Sequence, residues 1–156
     1  MDPHQLVGTW DFSREIHDHR DGTQYAAHGQ ATFTAEDDGR VRWSEHGTLT
    51  WAAGSTAVWR TLFLVRGPGG RVPSGDRQPS GDDAAGWRVT FEDGRDFHPW
   101  TVGAVEHLCG RDLYAGGVEL PGAPRPGPAA PPWHLTWRVT GPEKDYTMHT
   151  RYTLPR

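Results

Sequence analysis

The chain has 156 residues, which suffices for one domain with a substantial core and is short for two. Its formal net charge of -4, with arginines scattered among acidic residues, argues against the clustered basic face of nucleic-acid-binding proteins. The N-terminal segment lacks the basic start and apolar core of a signal peptide, and no apolar run is long enough to span a bilayer. We therefore predict a cytoplasmic protein with neither a nucleic-acid nor a membrane partner.

The hydrophobic fraction is only 35%, but eight Trp, four Tyr and five Phe supply much of it. Each buried aromatic side chain removes about 150–250 Å² from water, so a thin shell around an aromatic interior fits this composition. Cys109 is the only cysteine, which excludes an intramolecular disulfide.

Period-two alternation of apolar and polar residues dominates after a possible helical turn over residues 2–6. Gly and Pro recur too often for long helices, and Asp-Gly corners indicate antiparallel hairpins. We count about nine strands. The predicted β segments cover residues 8–18, 24–34, 40–51, 55–65, 87–100 with a tight turn at Asp93-Gly94, 105–109, 112–120, and the hairpin 133–154.

Two segments interrupt this pattern. Residues 67–86 are rich in Gly, Pro, Ser and Asp and have no hydrophobic period, which predicts a mobile loop. Residues 121–132 contain six prolines, so the second loop is expected to be stiffer and locally extended.

Many short strands without crossover helices indicate a sandwich or an up-and-down barrel. A barrel of about eight strands has room for interior side chains or for one small ligand. We therefore predict that residues 1–156 form a single all-β domain, an antiparallel up-and-down barrel of about eight to ten strands.

The two ends of the chain carry a resemblance. Gly8-Thr9-Trp10 opens the first strand and Arg151 lies on the last, which resembles the signature of the calycin superfamily of lipocalin-like barrels. The resemblance implies that Trp10 plugs the closed end of the barrel and that Arg151 packs across its indole ring, where cation–π attraction would hold it.

The C-terminal half resembles a family of small bacterial proteins of unassigned function. The motifs that carry this resemblance are FEDGRDFHPW, HLCGRDLY and GPEKDY, all within residues 91–152. That family implies no reaction, but it marks a set of polar residues without assigning roles to them: His98, His107, Cys109, Asp112, Tyr114, Lys144, Asp145 and Tyr146.

His107, Cys109, Asp112 and Tyr114 are the densest group of chemically capable side chains. His107 and Cys109 share one strand face, and Asp112 and Tyr114 share another after a short turn. If the two strands pair, Asp112 could orient the His107 imidazole for acid–base catalysis, with Tyr114 polarising a carbonyl. The alternative is a structural turn beside a packing cysteine, and we favour packing for Cys109 because side chains two apart on a strand lie about 7 Å from each other.

His98 follows Phe97 after a tight turn and is either a second acid–base group at the barrel mouth or a surface histidine. Glu45 lies on the face of Val41 and Trp43, and Arg60 lies in an apolar strand. A charge inside a barrel is costly unless it is paired or serves a ligand. Both side chains are therefore candidate ligand contacts, unless they face outward.

Aromatic side chains complete the candidate ligand site. Tyr146 follows the predicted hairpin tip at Lys144-Asp145, and its alternation with Met148 and Tyr152 suggests that it faces inward. The remaining candidate lining residues are Trp10, Trp43, Trp59, Trp87 and Trp137, together with the side chain of Cys109.

Histidines are the candidate ligands for a metal or a haem. His17 and His19 have the spacing of two ligands on one strand face, but the sequence indicates no third ligand for zinc. A haem would need a late axial histidine, and the two candidates are His134, which alternates against apolar residues and should face solvent, and His149. We predict no cofactor and no metal.

Two functions remain open at the level of sequence. The first is a cofactor-independent acid–base enzyme of the isomerase, cyclase or lyase type, acting on a small metabolite and using His107, His98, Asp112 and Tyr114. The second is a non-catalytic carrier that holds its ligand unchanged. In either case the expected partner is a small molecule, and the protein is a monomer or a homodimer.

Overall fold

A computed structural model of the protein describes residues 1–67, 86–119 and 131–156. The two predicted loops therefore lie almost entirely outside the described residues. A short 3-10 helix over Pro3–Leu6 precedes ten strands. The strands are β1 (Gly8–Asp18), β2 (Gln24–Ala35), β3 (Val41–Trp51), β4 (Gly54–Arg66), β5 (Trp87–Phe91), β6 (Asp96–Trp100), β7 (Val105–Cys109), β8 (Asp112–Glu119), β9 (Trp133–Thr140) and β10 (Asp145–Thr153).

All ten strands belong to one antiparallel sheet with the order β6-β5-β4-β3-β2-β1-β10-β9-β8-β7. Strands adjacent in the chain pair throughout, except for β6 and β7, and β1 pairs with β10. The sheet curls into a nearly closed barrel whose two edge strands, β6 and β7, leave a seam. The prediction of an all-β, up-and-down barrel is confirmed. A lone bridge between Val102 and Val118 joins the β6–β7 connection to the barrel.

The corners follow from Asp-Gly turn chemistry. The Asp38 carboxylate accepts a hydrogen bond from the backbone N–H of Arg40, and Asp93 accepts one from Arg95 in the same way. Gly39 and Gly94 lie two residues before β3 and β6 begin, and each has φ of 84°, a conformation that disfavours other residues. These local bonds stabilise tight hairpins and thereby the register of the paired strands.

Aromatic rings fill one end of the barrel, where the 3-10 helix also lies. We call this cluster the aromatic base. Tyr152 stacks on Trp133 with ring centroids 3.8 Å apart, and the Trp10 indole N–H donates to the Leu6 carbonyl at 2.8 Å. All members of the base are buried: Trp10, Phe33, Trp43, Trp100, Trp133 and Tyr152.

The predicted contact between Arg151 and Trp10 is wrong. Thr150 and Tyr152 are buried, so strand alternation turns Arg151 to the outer face, where it is exposed. Trp10 instead packs edge-on against Trp133, with ring centroids 6.2 Å apart. The closed end is therefore sealed by aromatic packing and not by the last-strand arginine.

Trp59 was expected to line the interior, and it does not. Its side chain is 75% exposed on the outer face of β4, because the adjacent Arg60 occupies the inward position. Within the described residues, no helix has the length and apolar character that crossing a membrane requires.

Candidate ligand site

Burial of the inward-facing side chains decreases along the barrel axis. On β1, Trp10 and Phe12 are buried, whereas Ile16, on the same face, is only half-buried. The same change runs along β10, from the buried Tyr152 to the half-buried Met148. The interior therefore becomes more accessible away from the aromatic base. We call the opposite end, where the β7–β8 and β9–β10 turns lie, the mouth.

A carboxylate with three side-chain partners lies midway along the interior. Glu45 accepts hydrogen bonds from Arg14 Nη2 to both of its oxygens, at 3.0 and 2.8 Å, and from Arg60 Nη2 at 3.0 Å. The Tyr152 hydroxyl donates to the same carboxylate at 2.6 Å, and Arg14 Nε donates to Thr150 Oγ1 at 2.8 Å. We call these five residues the central network.

Local register explains the central network. Glu45 and Arg60 are direct partners across β3 and β4, and Arg14 is the partner of Thr150 across β1 and β10. Burial alone would raise the pKa of Glu45, but the charges of Arg60 and Arg14, with the Tyr152 hydroxyl, outweigh it and lower the pKa to about 2. The carboxylate is therefore ionised at neutral pH. Burial, followed by the Glu45 charge, raises the pKa of Tyr152, which keeps its hydroxyl a donor.

Arg60 is the member of the central network with the most solvent contact. Its side chain is 28% exposed, against 3% for Glu45 and 10% for Arg14. One face of its guanidinium lies 4.8 Å from the centre of a Trp43 ring. Arg60 is thus the residue through which the charged layer meets the accessible part of the interior.

His98 is buried, with 2% of its surface exposed, which decides against the surface alternative. Its Nδ1 lies 2.8 Å from the Pro99 carbonyl oxygen, and because a carbonyl only accepts, Nδ1 carries the proton. Nε2 is then an acceptor, and it has no hydrogen-bond partner within the described residues. The imidazole ring packs edge-on against Trp137 and Phe97, with centroids 4.8 and 4.7 Å away.

The imidazole of His98 is neutral at pH 7. Burial lowers its pKa to about 4, the hydrogen bond to Pro99 opposes that change, and the charges of Arg60 and His107 add to the lowering. A neutral imidazole with one fixed proton can accept a hydrogen bond or a proton at Nε2.

The predicted orientation of His107 by Asp112 is wrong. A two-residue turn places Cys109 opposite Asp112 and His107 opposite Tyr114. The Asp112 carboxylate instead pairs with the Lys144 ammonium at 2.6 Å. This hydrogen bond to Asp112 is the main cause of a raised pKa of Lys144, so the ammonium group is charged and engaged with the carboxylate.

His107 and Tyr114 lie opposite each other on β7 and β8, and Tyr114 contacts the aromatic rings that pack against His98. Tyr114 is buried and packs edge-on against Trp137 at 5.9 Å. Burial lowers the pKa of His107, although the Asp96 charge opposes this, and its Nε2 has no partner within the described part of the chain. Burial, then proximity to Tyr114, raises the pKa of Tyr146. Cys109 is half-buried and packs against the hydrophobic core.

The remaining sequence candidates lie apart from this region. Trp87 packs edge-on against His4 near the 3-10 helix. His17 and His19 line a groove of about 300 Å³ that also contains Thr147 and His149. The described residues include no group of three or more side chains placed to hold a metal ion. His149 is exposed and contacts Thr136.

Sequence reasoning did not identify Arg14, Thr150 or Tyr152 as site residues. The sequence could have indicated that Arg14 faces inward, since strand alternation places it on the same face of β1 as Trp10 and Phe12. A charge at such a position requires a partner. That the partner is Glu45 depends on how β1 and β3 lie across β2, which strand alternation alone does not specify.

No curated protein and no solved structure matches this chain. The model of DUF6314, a family of unknown function, matches residues 6–154. That span includes all ten strands, the central network and His98. The chain therefore belongs to the family of unknown function DUF6314.

Proposed function

We propose that this barrel binds one small organic molecule in its interior, between the central network and the mouth, in the manner of lipocalin-type barrels. The single observation that carries the proposal is the unpartnered Nε2 atom of His98. A buried acceptor without a partner costs about 1–3 kcal/mol, so it is retained where it serves a purpose.

The surroundings of His98 support a ligand rather than a purely structural role. Trp137, Tyr114 and Phe97 form an aromatic wall beside the imidazole. Arg60 adds a partly accessible charge. A mostly apolar lining with a few polar groups that fix orientation is typical of small-molecule sites.

The test is a binding screen with molecules of about 150–300 Da, in which the NMR signals of the eight indole N–H groups report binding. Ligands of the interior should shift the Trp137 indole signal and leave that of the exposed Trp59 unchanged. His98→Asn retains a donor near the Pro99 carbonyl and removes Nε2. It should weaken binding about tenfold, the effect of one hydrogen bond.

His46→Asn is the matched control, because His46 is exposed on β3 and its neighbours Glu45 and Gly47 face inward. This variant should bind as the wild type does. A screen in which every ligand shifts only Trp59, or in which both variants bind equally well, would refute the proposal.

A second candidate is a cofactor-independent enzyme that moves a proton on the bound molecule, by isomerisation, cyclisation or elimination. The neutral His98 imidazole favours it, since Nε2 is free to take a proton, with Tyr114 and His107 as nearby hydrogen-bonding groups. Recovery of the bound molecule after incubation in deuterated water separates the two. Deuterium incorporation or conversion that His98→Asn abolishes favours the enzyme, and unchanged recovery favours the carrier.

A further inference from the structure

The interior of the barrel carries an unbalanced positive charge. In the central network two guanidinium groups, Arg14 and Arg60, share one carboxylate, Glu45. Asp112 and Lys144, which form an ion pair at the mouth, are neutral as a unit. Arginine stays protonated in proteins, so within the described residues this layer has a net charge of about +1.

The hydrogen-bonding capacity of Glu45 is used up, whereas that of Arg60 is not. The carboxylate accepts from Arg14, Arg60 and Tyr152, whose donors approach both oxygens. Arg60 uses its Nη2 and Nε side for Glu45, and its Nη1 amino group forms no hydrogen bond to the described part of the chain. A guanidinium carries five N–H donors in a fixed plane, so a second acceptor can bind along the free edge.

Other unpartnered polar atoms of the interior are mostly donors as well. The indole N–H groups of Trp43, Trp100 and Trp133 are buried and have no partner within the described residues. Their rings lie 6.1 to 6.4 Å from one another. His98 Nε2 is an acceptor, and His107 Nε2 also has no partner within the described residues. A molecule complementary to this interior is therefore rich in acceptors and has at least one donor.

We infer that the ligand is a small organic anion whose acidic group pairs with the free edge of Arg60 and whose hydroxyl or N–H group donates to His98 Nε2. This inference rests on the proposed function and adds the chemical class. An acidic group would balance the excess charge of the central network. Its bonds to the guanidinium would be charge-assisted, which makes them stronger than neutral ones. The aromatic wall of Trp137 and Tyr114 would pack against an apolar body.

Two dyes with nearly the same aromatic body separate charge from shape. 8-Anilinonaphthalene-1-sulfonate is an anion, and N-phenyl-1-naphthylamine lacks the sulfonate and is neutral. Energy transfer from tryptophan reports binding of each dye within the barrel. We expect the wild type to bind the anionic dye at least about tenfold more tightly than the neutral dye, because a hydrogen-bonded ion pair contributes about that factor.

Arg60→Gln should remove this preference, and Arg60→Lys, which keeps the charge, should keep part of it. Arg95→Gln is the matched control. The Arg95 side chain is 75% exposed at the β5–β6 turn, so this substitution removes the same charge from the outer surface of the barrel. It should leave the preference unchanged. Arg14 and Tyr152 continue to bind Glu45 in the Arg60 variants, so we expect them to fold.

Each outcome bears on a different statement. If both dyes bind the wild type equally tightly, or if Arg60→Gln keeps the full preference, the inference about charge is overturned and the proposal of a ligand site stands. If neither dye binds, the proposed function fails, and this inference fails with it. The comparison of dyes on the wild type requires no variant, so an unfolded variant does not prevent a decision.

Discussion

The central network shows how a charged side chain can be stable inside an aromatic barrel. Glu45 is almost fully buried, and an isolated carboxylate there would be strongly destabilising. Three partners compensate for the lost hydration, and two of them are guanidinium groups that are themselves partly buried. The pairing is mutual: each arginine depends on the carboxylate as much as the carboxylate depends on the arginines.

Removal of the Glu45 carboxylate is therefore expected to be costly. Glu45→Ala leaves Arg14 and Arg60 side by side without a counter-charge and should lower the free energy of unfolding by about 3–5 kcal/mol. Urea denaturation monitored by tryptophan fluorescence measures the change. Glu36→Ala is the control, because Glu36 pairs with Arg42 at 3.0 Å on the surface. That loss should stay below about 1 kcal/mol. Equal losses in the two variants would contradict the argument.

At the level of single residues, strand alternation identified some interior side chains and missed others. Glu45 and Arg60 could be singled out, since each interrupts an apolar pattern on its own strand. Whether His98 faced inward was open, because Pro99 and the nearby turn disturb the period. The partnership of Asp112 with Lys144 was not foreseen, since it joins two hairpins that are far apart in the chain.

Glycines in β8 allow the backbone of this strand to lie unusually close to its neighbours. Gly116 and Gly117 have φ of 153° and 151°, outside the range of ordinary strand residues. A Cβ atom on Gly116 would lie 2.0 Å from the Thr136 carbonyl oxygen, and one on Gly117 would lie 2.0 Å from that of Gly103. Both obstacles are backbone atoms, so relief requires the neighbouring backbone segments to move apart. The local geometry of β8 beside the seam thus depends on these glycines.

Gly116→Ala should consequently destabilise the barrel by at least about 2 kcal/mol, from an unfavourable φ together with a backbone clash. Thermal unfolding followed by circular dichroism measures the loss. Gly54→Ala, at the start of β4, is the control because its new Cβ would meet the Trp51 ring at an ordinary 3.5 Å. We expect that variant to change the free energy by less than about 1 kcal/mol. A Gly116 variant as stable as the Gly54 variant would refute this account of β8.

The strands themselves were predictable because an interior on one side and solvent on the other impose period two. The predicted bounds of β1 and β7 coincide with the observed Gly8–Asp18 and Val105–Cys109. The position of the seam was not predictable. Local turns determine which consecutive strands pair, but the gap between β6 and β7 depends on how the whole sheet closes.

As a whole, the molecule resembles a cup with an aromatic base, a charged middle layer and a more accessible mouth. The longer of the two predicted loops spans residues 67–86, and all but its two end residues lie outside the described part of the chain. Its two ends are joined by a hydrogen bond from the Gly67 N–H to the Gly86 carbonyl. These ends follow β4 and precede β5 at the side of the aromatic base, whereas Asp112 lies at the mouth. The attachment points of this loop are therefore at the opposite end of the barrel.

The buried ionisable groups also predict how the stability of the whole barrel depends on pH. The pKa of His98 in the folded state is about 4, below its ordinary value of 6.5. Between these values the unfolded chain binds more protons than the folded one, so acidification destabilises the fold. A difference of this size corresponds to about 3 kcal/mol, fully lost near pH 4. The pKa of His107 is also lowered, which adds a loss of the same sign.

The Glu45 carboxylate affects the stability of the barrel over a separate and lower pH range. Its folded pKa of about 2 lies below the ordinary 4.5, so its contribution is present above pH 4.5 and is lost as the pH falls toward 2. Urea unfolding at intervals from pH 7 to pH 3 should show stability falling in both windows. His98→Asn should flatten the curve between pH 6.5 and 4.5 and leave the lower window, and Glu45→Gln should do the reverse. Parallel curves for His98→Asn and the wild type would mean that the imidazole is protonated as readily in the folded barrel as in the unfolded chain. A protonated His98 has no acceptor at Nε2, and the proposed ligand site depends on that acceptor.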